Sequence, residues 1–181
     1  METDPLSTVS TWFEQVLIRK LTEADLRALE WEGEFTRYRQ VYRNIFERFN
    51  AGLAVLWVAD LPGTGVIGQV FIQLVTNRPE LANGITRAYL HSFRVRPAYR
   101  NLGFGSRMLA AVEDDLRQRT YRSLTLIVAQ DNPNAKRFYV RQDFRIVAEE
   151  SGHWFYPDEN GCWHEVIEPS WLMEKNLKAP N

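Results

Sequence analysis

Val95-Arg96-Pro97-Ala98-Tyr99-Arg100-Asn101-Leu102-Gly103-Phe104-Gly105-Ser106 is the stretch on which the reading of this chain turns. It lies where an apolar strand pattern, Ala88 to Val95, meets Pro97 and a helical pattern begins near Gly105. Glycines at 103 and 105 permit a tight turn and leave successive main-chain N–H groups unobstructed. Those groups join the unpaired donors of a helix's first turn and the positive end of its dipole, a combination that holds phosphate. Arg100 adds a cation beside them. Taken alone, a short Gly-x-Gly is equally the start of an ordinary helix. Two other phosphate patterns are excluded. The dinucleotide fingerprint needs a third glycine where Met108 stands, and a P-loop needs Gly-Lys-Ser/Thr.

Working outward, a helix from about Gly105 to Arg119 carries Met108, Leu109, Val112 and Leu116 on one stripe. Leu124 to Ala129 then reads as an apolar strand buried on both faces. Strand, helix and strand in this order predict a parallel crossover. A further helix opens near Asn134, and Phe144 to Glu149 and Trp163 to Glu174 read as closing strands around an Asp158–Gly161 turn. Upstream, Val16 to Arg19 is a short strand, followed by Thr22 as N-cap with Asp25 three residues on. Glu23 to Phe49 reads as two helices broken near Gly33, with Leu26, Leu29, Phe35, Tyr38, Tyr42, Ile45 and Phe49 as the apolar face. Ala54 to Ala59 and Val66 to Val75 form an antiparallel hairpin about Asp60-Leu61-Pro62-Gly63, and Asn77 to Gly84 is a loop. The fold class is therefore α/β in the mixed α+β sense, a mostly antiparallel central sheet with one parallel pair and flanking helices.

Composition bounds the function. At 181 residues the chain reads as one domain, 1–181, with 1–14 and 177–181 as peripheral tails. A net charge of -1 argues against nucleic acid or an anionic membrane as partner. Cys162 is alone, so neither an internal disulfide nor a cysteine-only metal site is available. No signal-peptide pattern or membrane-length apolar run is seen, which predicts a cytoplasmic protein. Exposed edge strands make a homodimer a possible partner state.

Two longer patterns sharpen the loop. Leu90-His91-Ser92-Phe93-Arg94-Val95-Arg96-Pro97 precedes it, and Asn132-Pro133-Asn134-Ala135-Lys136-Arg137-Phe138-Tyr139 follows, then Asp143-Phe144. Together with Arg100-x-x-Gly103-x-Gly105, they resemble the GNAT superfamily of N-acetyltransferases from about Tyr89 to Phe144. The family's glycine before Phe144 is here Asp143, a residue type that tolerates left-handed backbone. The resemblance implies that the parallel strands splay and that acetyl-CoA, used as co-substrate with no metal, lies in the gap. Phe93, Arg94 and Val95 would pair with its pantetheine arm. Asn101, Leu102, Gly103, Phe104, Gly105 and Ser106 would cradle the pyrophosphate beside Arg100. Asn132 and Asn134 would hold the arm from the other side, and Tyr139 would bring its hydroxyl near the thioester sulfur.

The chemistry asks for three groups. An amine with a pKa of about 10.4 must lose a proton before it attacks a thioester. The developing oxyanion needs a donor, for which a strand N–H near Val95 would serve, and the departing thiolate needs an acid. Tyr139 is the candidate acid; otherwise it is a helix tyrosine that packs its ring. His91 is the candidate base, on a face that strict alternation would share with Tyr89, Phe93 and Val95; otherwise it is a hydrogen-bonded core residue. Glu32 and Glu34, beside Trp31 at the helix break, would attract a cationic amine or stand as solvated carboxylates. His153, Cys162 and His164 are too few and too irregularly spaced for a metal site. Trp154, Phe155, Tyr156, Trp163 and Trp171 would wall the acceptor pocket, form a dimer contact or, by default, fill the core. The expected function is acetyl transfer from acetyl-CoA to a primary amine of a small molecule, peptide or protein, by direct attack in a ternary complex. A catalytically silent acetyl-CoA sensor shares the same loop, and a nucleotide-binding regulator is disfavoured by the two flanking patterns.

Overall fold

The computed structural model describes residues 12–177. Nine strands form two sheets. They are β1 (Leu17–Lys20), β2 (Ala54–Leu61), β3 (Gly65–Gln73), β4 (Arg87–Val95), β5 (Ser123–Ala129), β6 (Arg145–Glu150), β7 (His153–Pro157), β8 (Trp163–Ile167) and β9 (Ser170–Asn176). The helices with both ends among the described residues are α1 (Arg39–Asn50), α2 (Phe104–Gln118) and α3 (Pro133–Arg141), and residues 12–15 are also helical. The main sheet runs β1-β2-β3-β4-β5-β9-β6, and β7 with β8 forms a separate hairpin. Every neighbouring pair is antiparallel except β4 and β5, which α2 joins as the expected crossover.

Strand alternation sends side chains to two cores. In β2, Val55 and Ala59 join one cluster with Phe104, Met108, Leu109, Val112 and Leu116 of α2. Leu56 and Val58 join the other, with Leu29 and with Tyr42 and Ile45 of α1. The sheet is thus covered on both faces.

Several expectations are corrected. Glu23–Gly33 is a 3-10 segment, followed by a second one at Thr36–Tyr38, so α1 is the one α-helix of this region. The break falls on Trp31 (φ 46°) and Glu32 (φ 57°), just before Gly33 (φ 106°). Trp163 to Glu174 is two strands rather than one. Glu168-Pro169 divides them, and β8 pairs with β7, which the sequence reading left unassigned. Asp143 does take left-handed backbone, at φ 66°. Residues 1–11 and 178–181 of the expected tails lie outside the described residues. Phe13, placed in a tail, stacks on Phe104 with centroids 4.7 Å apart, and Leu177 is buried. No helix among the described residues is long and apolar enough to cross a membrane.

Candidate active site

β4 and β5 pair from Arg87–Ser123 to Leu90–Leu126 and then part. Beyond that point the facing main-chain groups of 91–95 and 127–129 have no strand between them, and the sheet opens. The register of β4 on β3 changes at the same place. Gln69 opposes Arg94 and Phe71 opposes His91, so Ser92 and Phe93 together stand against Val70. This is a β-bulge, with Ser92 in the left-handed region at φ 51°. A bulge of one residue exchanges the faces of everything after it. Phe93 and Val95 therefore turn toward α2 and α3, and the Phe93 ring meets Phe138 edge-on at 5.9 Å. His91 stays on the α1 face against Phe71. The single face expected for Tyr89, His91, Phe93 and Val95 does not exist.

Arg94 follows His91. Its Nη1 donates to Tyr42 Oη at 2.8 Å, and its guanidinium lies 4.1 Å from the Phe35 ring centroid. The side chain is thus on the face away from α2, while its main chain stays on the edge of β4 that faces the opening.

That loop is open as expected. Asn101 (φ 61°) and Gly103 (φ 88°) bend the chain into α2, and Arg107 N donates to Gly103 O as the helix's first bond. The N–H groups of Asn101, Leu102, Gly103, Phe104, Gly105 and Ser106 have no acceptor among the described residues. Gly105 serves a second purpose. A Cβ there would come within 3.3 Å of the Phe138 ring, so its absence lets α2 close on α3. Arg100 Nε donates to Val95 O at 2.8 Å, which ties the cation to the strand's end. Ser106 Oγ accepts from Gln142. Asn132 Oδ1 accepts from Ala135 N and caps α3, while Asn134 accepts from Arg137. Both asparagine carbonyls are therefore engaged within α3.

Tyr139 is buried beside Phe138 and Phe144. Burial, and then the neighbouring Tyr89 phenol, raise its hydroxyl far above the usual range. Tyr89 is itself pushed up to about 12, chiefly by burial. The His91 ring stacks on Tyr89 at 5.6 Å, and its Nδ1 shares a hydrogen bond with Ser92 Oγ. His91 Nε2 is buried without a partner among the described residues. Burial, then the charges of Arg94 and Arg48, bring this imidazole down to about 4. It is neutral at pH 7.

The two glutamates are elsewhere. Glu32 holds Arg96 in a two-point pair at 2.7 and 3.0 Å, which lowers its carboxyl, and Glu34 is exposed. Glu32 lines a groove of about 670 Å³ with Arg27, Glu30, Thr64 and Arg96. No residue of the β4–β5 opening lines that groove. His153 bonds Glu165 and His164 bonds Asp158, both on the exposed β7–β8 hairpin. Among the described residues, no three His, Cys, Asp or Glu side chains are grouped to hold a metal.

Sequence reading missed a wall on the α1 face. It runs through ring and guanidinium contacts from Tyr156 to Tyr38, Arg94, Tyr42, Phe71 and His91, ending at Tyr89. Gln69 lies behind it, fully buried, its Oε1 without a partner among the described residues. A buried glutamine within the apolar run Val66–Val75 was the available signal.

Comparison with known proteins agrees with this geometry. The profile described as the acetyltransferase (GNAT) family matches residues 18–144, and the chain belongs to that family. No curated protein matches significantly. Among solved structures, Ard1 from Thermoplasma volcanium is 19% identical, with 91% of this chain and 99% of that chain covered and a TM-score of 0.69. NAA60 from Arabidopsis thaliana, solved in complex with acetyl-CoA, is 24% identical over 90% and 98%, with a TM-score of 0.68. A spermidine N-acetyltransferase SpeG chimera from Vibrio cholerae and hSSAT is 17% identical over 90% and 96%, at 0.67. At these identities the likeness is one of fold.

Proposed function

We propose that this protein transfers an acetyl group from acetyl-CoA to a primary amine within a ternary complex. The observation that carries the reading is a juxtaposition. Six main-chain N–H groups at the start of α2, with no acceptor among the described residues, adjoin the opening where β4 and β5 part. The first suits a pyrophosphate and the second an extended amide-bearing arm that pairs as a strand would. The acetyl-CoA complex of NAA60, which shares the fold, supports the same ligand.

Acetyl-CoA supplies an acyl group activated as a thioester. Asn101 to Ser106 and Arg100 would hold its phosphates, and the main chain of Phe93 to Val95 would align its arm. The unpaired edge of β4 offers an N–H donor to charge developing on the carbonyl oxygen. Tyr139, kept protonated by burial, would donate to the leaving sulfur. His91 is too weak a base at about 4 to take the amine's proton, so water would take it, and the neutral imidazole would line the site beside the amine. The charges that lower His91 also lower the pKa of an amine placed beside it, which eases that loss.

Free-thiol release from acetyl-CoA, followed with a panel of primary amines, tests the reading. Amine-dependent release is expected. Tyr139→Phe should lower kcat about 10- to 100-fold and leave acetyl-CoA affinity within about twofold. An unchanged kcat would remove Tyr139 from the chemistry, and acetyl-CoA binding without thiol release for any amine would make the protein a sensor.

A further inference from the structure

The α1 face of the opening is built for a negative charge. Arg94 stands in the middle of the aromatic wall, its guanidinium 4.1 Å from Phe35 and 5.3 Å from Tyr38. It donates once, to Tyr42 Oη. Among the described residues it has no carboxylate partner, and its remaining N–H groups have no acceptor. Arg48 lies on the same side. Its Nη2 donates to Val75 O, and its buried Nε has no partner among the described residues. Three carboxylates of the neighbourhood are engaged elsewhere, and Glu34 and Glu47, beside Phe35 and Arg48 in the chain, are exposed. Glu30 is held by Arg39 and Thr36, Glu32 by Arg96, and Glu150, near Tyr89, by Arg78 at 2.7 Å. An ammonium group deep on this face would meet two cations that have no carboxylate partner among the described residues.

Resting on the acetyltransferase reading above, we propose that the acceptor is an amine bearing a carboxylate a few bonds away, and that Arg94 binds that carboxylate. His91 and Arg94 pair with Phe71 and Gln69, two residues apart on β3, so both side chains leave one short stretch of the α1 face. A carboxylate on Arg94 would therefore lie on the same face as the His91 ring, beside the opening between β4 and β5. A guanidinium stacked on aromatic rings is held in plane to meet a carboxylate with two parallel N–H bonds. The wall also sets a bias against polyamines, whose second ammonium would take the place of the carboxylate. A free amino acid and a peptide amine with an acidic first residue share this chemistry.

The test measures kcat/KM for matched acceptors. They are amino acids and their carboxamides, amidated peptides beginning with Glu or Gln, and spermidine. Binding of the same compounds to the CoA-loaded protein is measured by calorimetry. The acid is expected to exceed its amide by at least roughly tenfold, a loss typical of one charged hydrogen-bonded contact. Preference among free amino acids, or among the peptides, identifies the source. In Arg94→Gln the acid-to-amide ratio should fall to about one, in Arg94→Glu the preference should swing toward spermidine, and Arg94→Lys should keep part of it. Acetyl-CoA titration of each variant reports whether the fold survives loss of the Tyr42 bond; should a variant not fold, the wild-type ratio decides. A wild-type protein that binds acetyl-CoA yet takes amide or spermidine as readily as acid, or binds no acid when CoA-loaded, overturns the inference alone. One that binds no acetyl-CoA overturns the acetyltransferase reading with it.

Discussion

His91 and Tyr139 show how burial assigns roles that residue type leaves open. A histidine at its ordinary value of about 6.5 would share protons with a substrate near neutrality. Beside Arg94 and Arg48, with Nε2 shut off from solvent, it is neutral far below that. A consequence for stability follows from the sign of this shift. As pH falls below about 6.5 the unfolded chain takes up the proton first, so His91's contribution is complete above 6.5 and lost on the way down to about 4. By pH 4.5 this is on the order of 2 kcal/mol. Urea unfolding at pH 7 and pH 4.5 should show that loss in the wild type and a smaller one in His91→Gln. Equal losses in the two proteins would mean that the imidazole is not held neutral. Arg94 teaches a related lesson. Its place one residue after Phe93 suggested the cofactor, and its side chain serves the opposite face.

The reason lies in one element. Nothing in Leu90-His91-Ser92-Phe93-Arg94-Val95 marks a bulge, because serine is at home in a regular strand as well as in a bent one. The alternation rule consequently ran on past Ser92 and put Phe93 and Val95 on the wrong side. The wall of Phe35, Tyr38 and Tyr42 was legible as apolar helix surface, but its place in the site depends on which sheet face it covers. Where local chemistry is self-sufficient, sequence and structure agree. Thr22 and Asp25 were read as the entrance to a helical segment, and Thr22 N and Oγ1 both donate to Asp25 Oδ2 at 2.8 Å. The structure adds a long-range clamp: Arg19 of β1 grips Asp25 through both Nη atoms and Asp60 of β2 through Nε and Nη2. The Arg19 bond draws Asp25 down to about 2. Asp25→Ala should cost about 3 kcal/mol in urea unfolding at pH 7, since it leaves a half-buried arginine underpaired and removes the cap. In the wild type this contribution is full above about pH 4 and fades as pH falls toward 2. A cost below about 1 kcal/mol would show the clamp to be no stronger than a surface pair.

At the scale of the whole molecule, most of the architecture could be read from punctuation and period. Pro62-Gly63 marks the β2–β3 turn, although Asp60 and Leu61, read as part of it, pair with Val66 and Gly65; Pro97 marks the end of β4, and the stripe from Met108 to Leu116 the crossover that makes β4 and β5 parallel. The splay between those strands is a property of pairing distance, which no single stretch encodes; it entered only through resemblance. The β7–β8 hairpin was missed because its aromatic residues suit a core as well as an exposed ribbon, and Phe155 and Trp163 prove to be 56% and 72% exposed. The loop of Asn101 to Ser106 is the centre of the proposed site: its N–H groups have no acceptor among the described residues, and it lies within the stretch matched by the family. Calorimetric titration with acetyl-CoA, CoA, ATP and NAD tests it directly, with Gly103→Trp as the comparison. At φ 88° that position strains any side chain by about 1–2 kcal/mol, and an indole there covers the free N–H groups. Binding of acetyl-CoA and CoA in preference to ATP and NAD, lost in the folded variant, is the expected result; a folded wild-type protein that binds neither would contradict it.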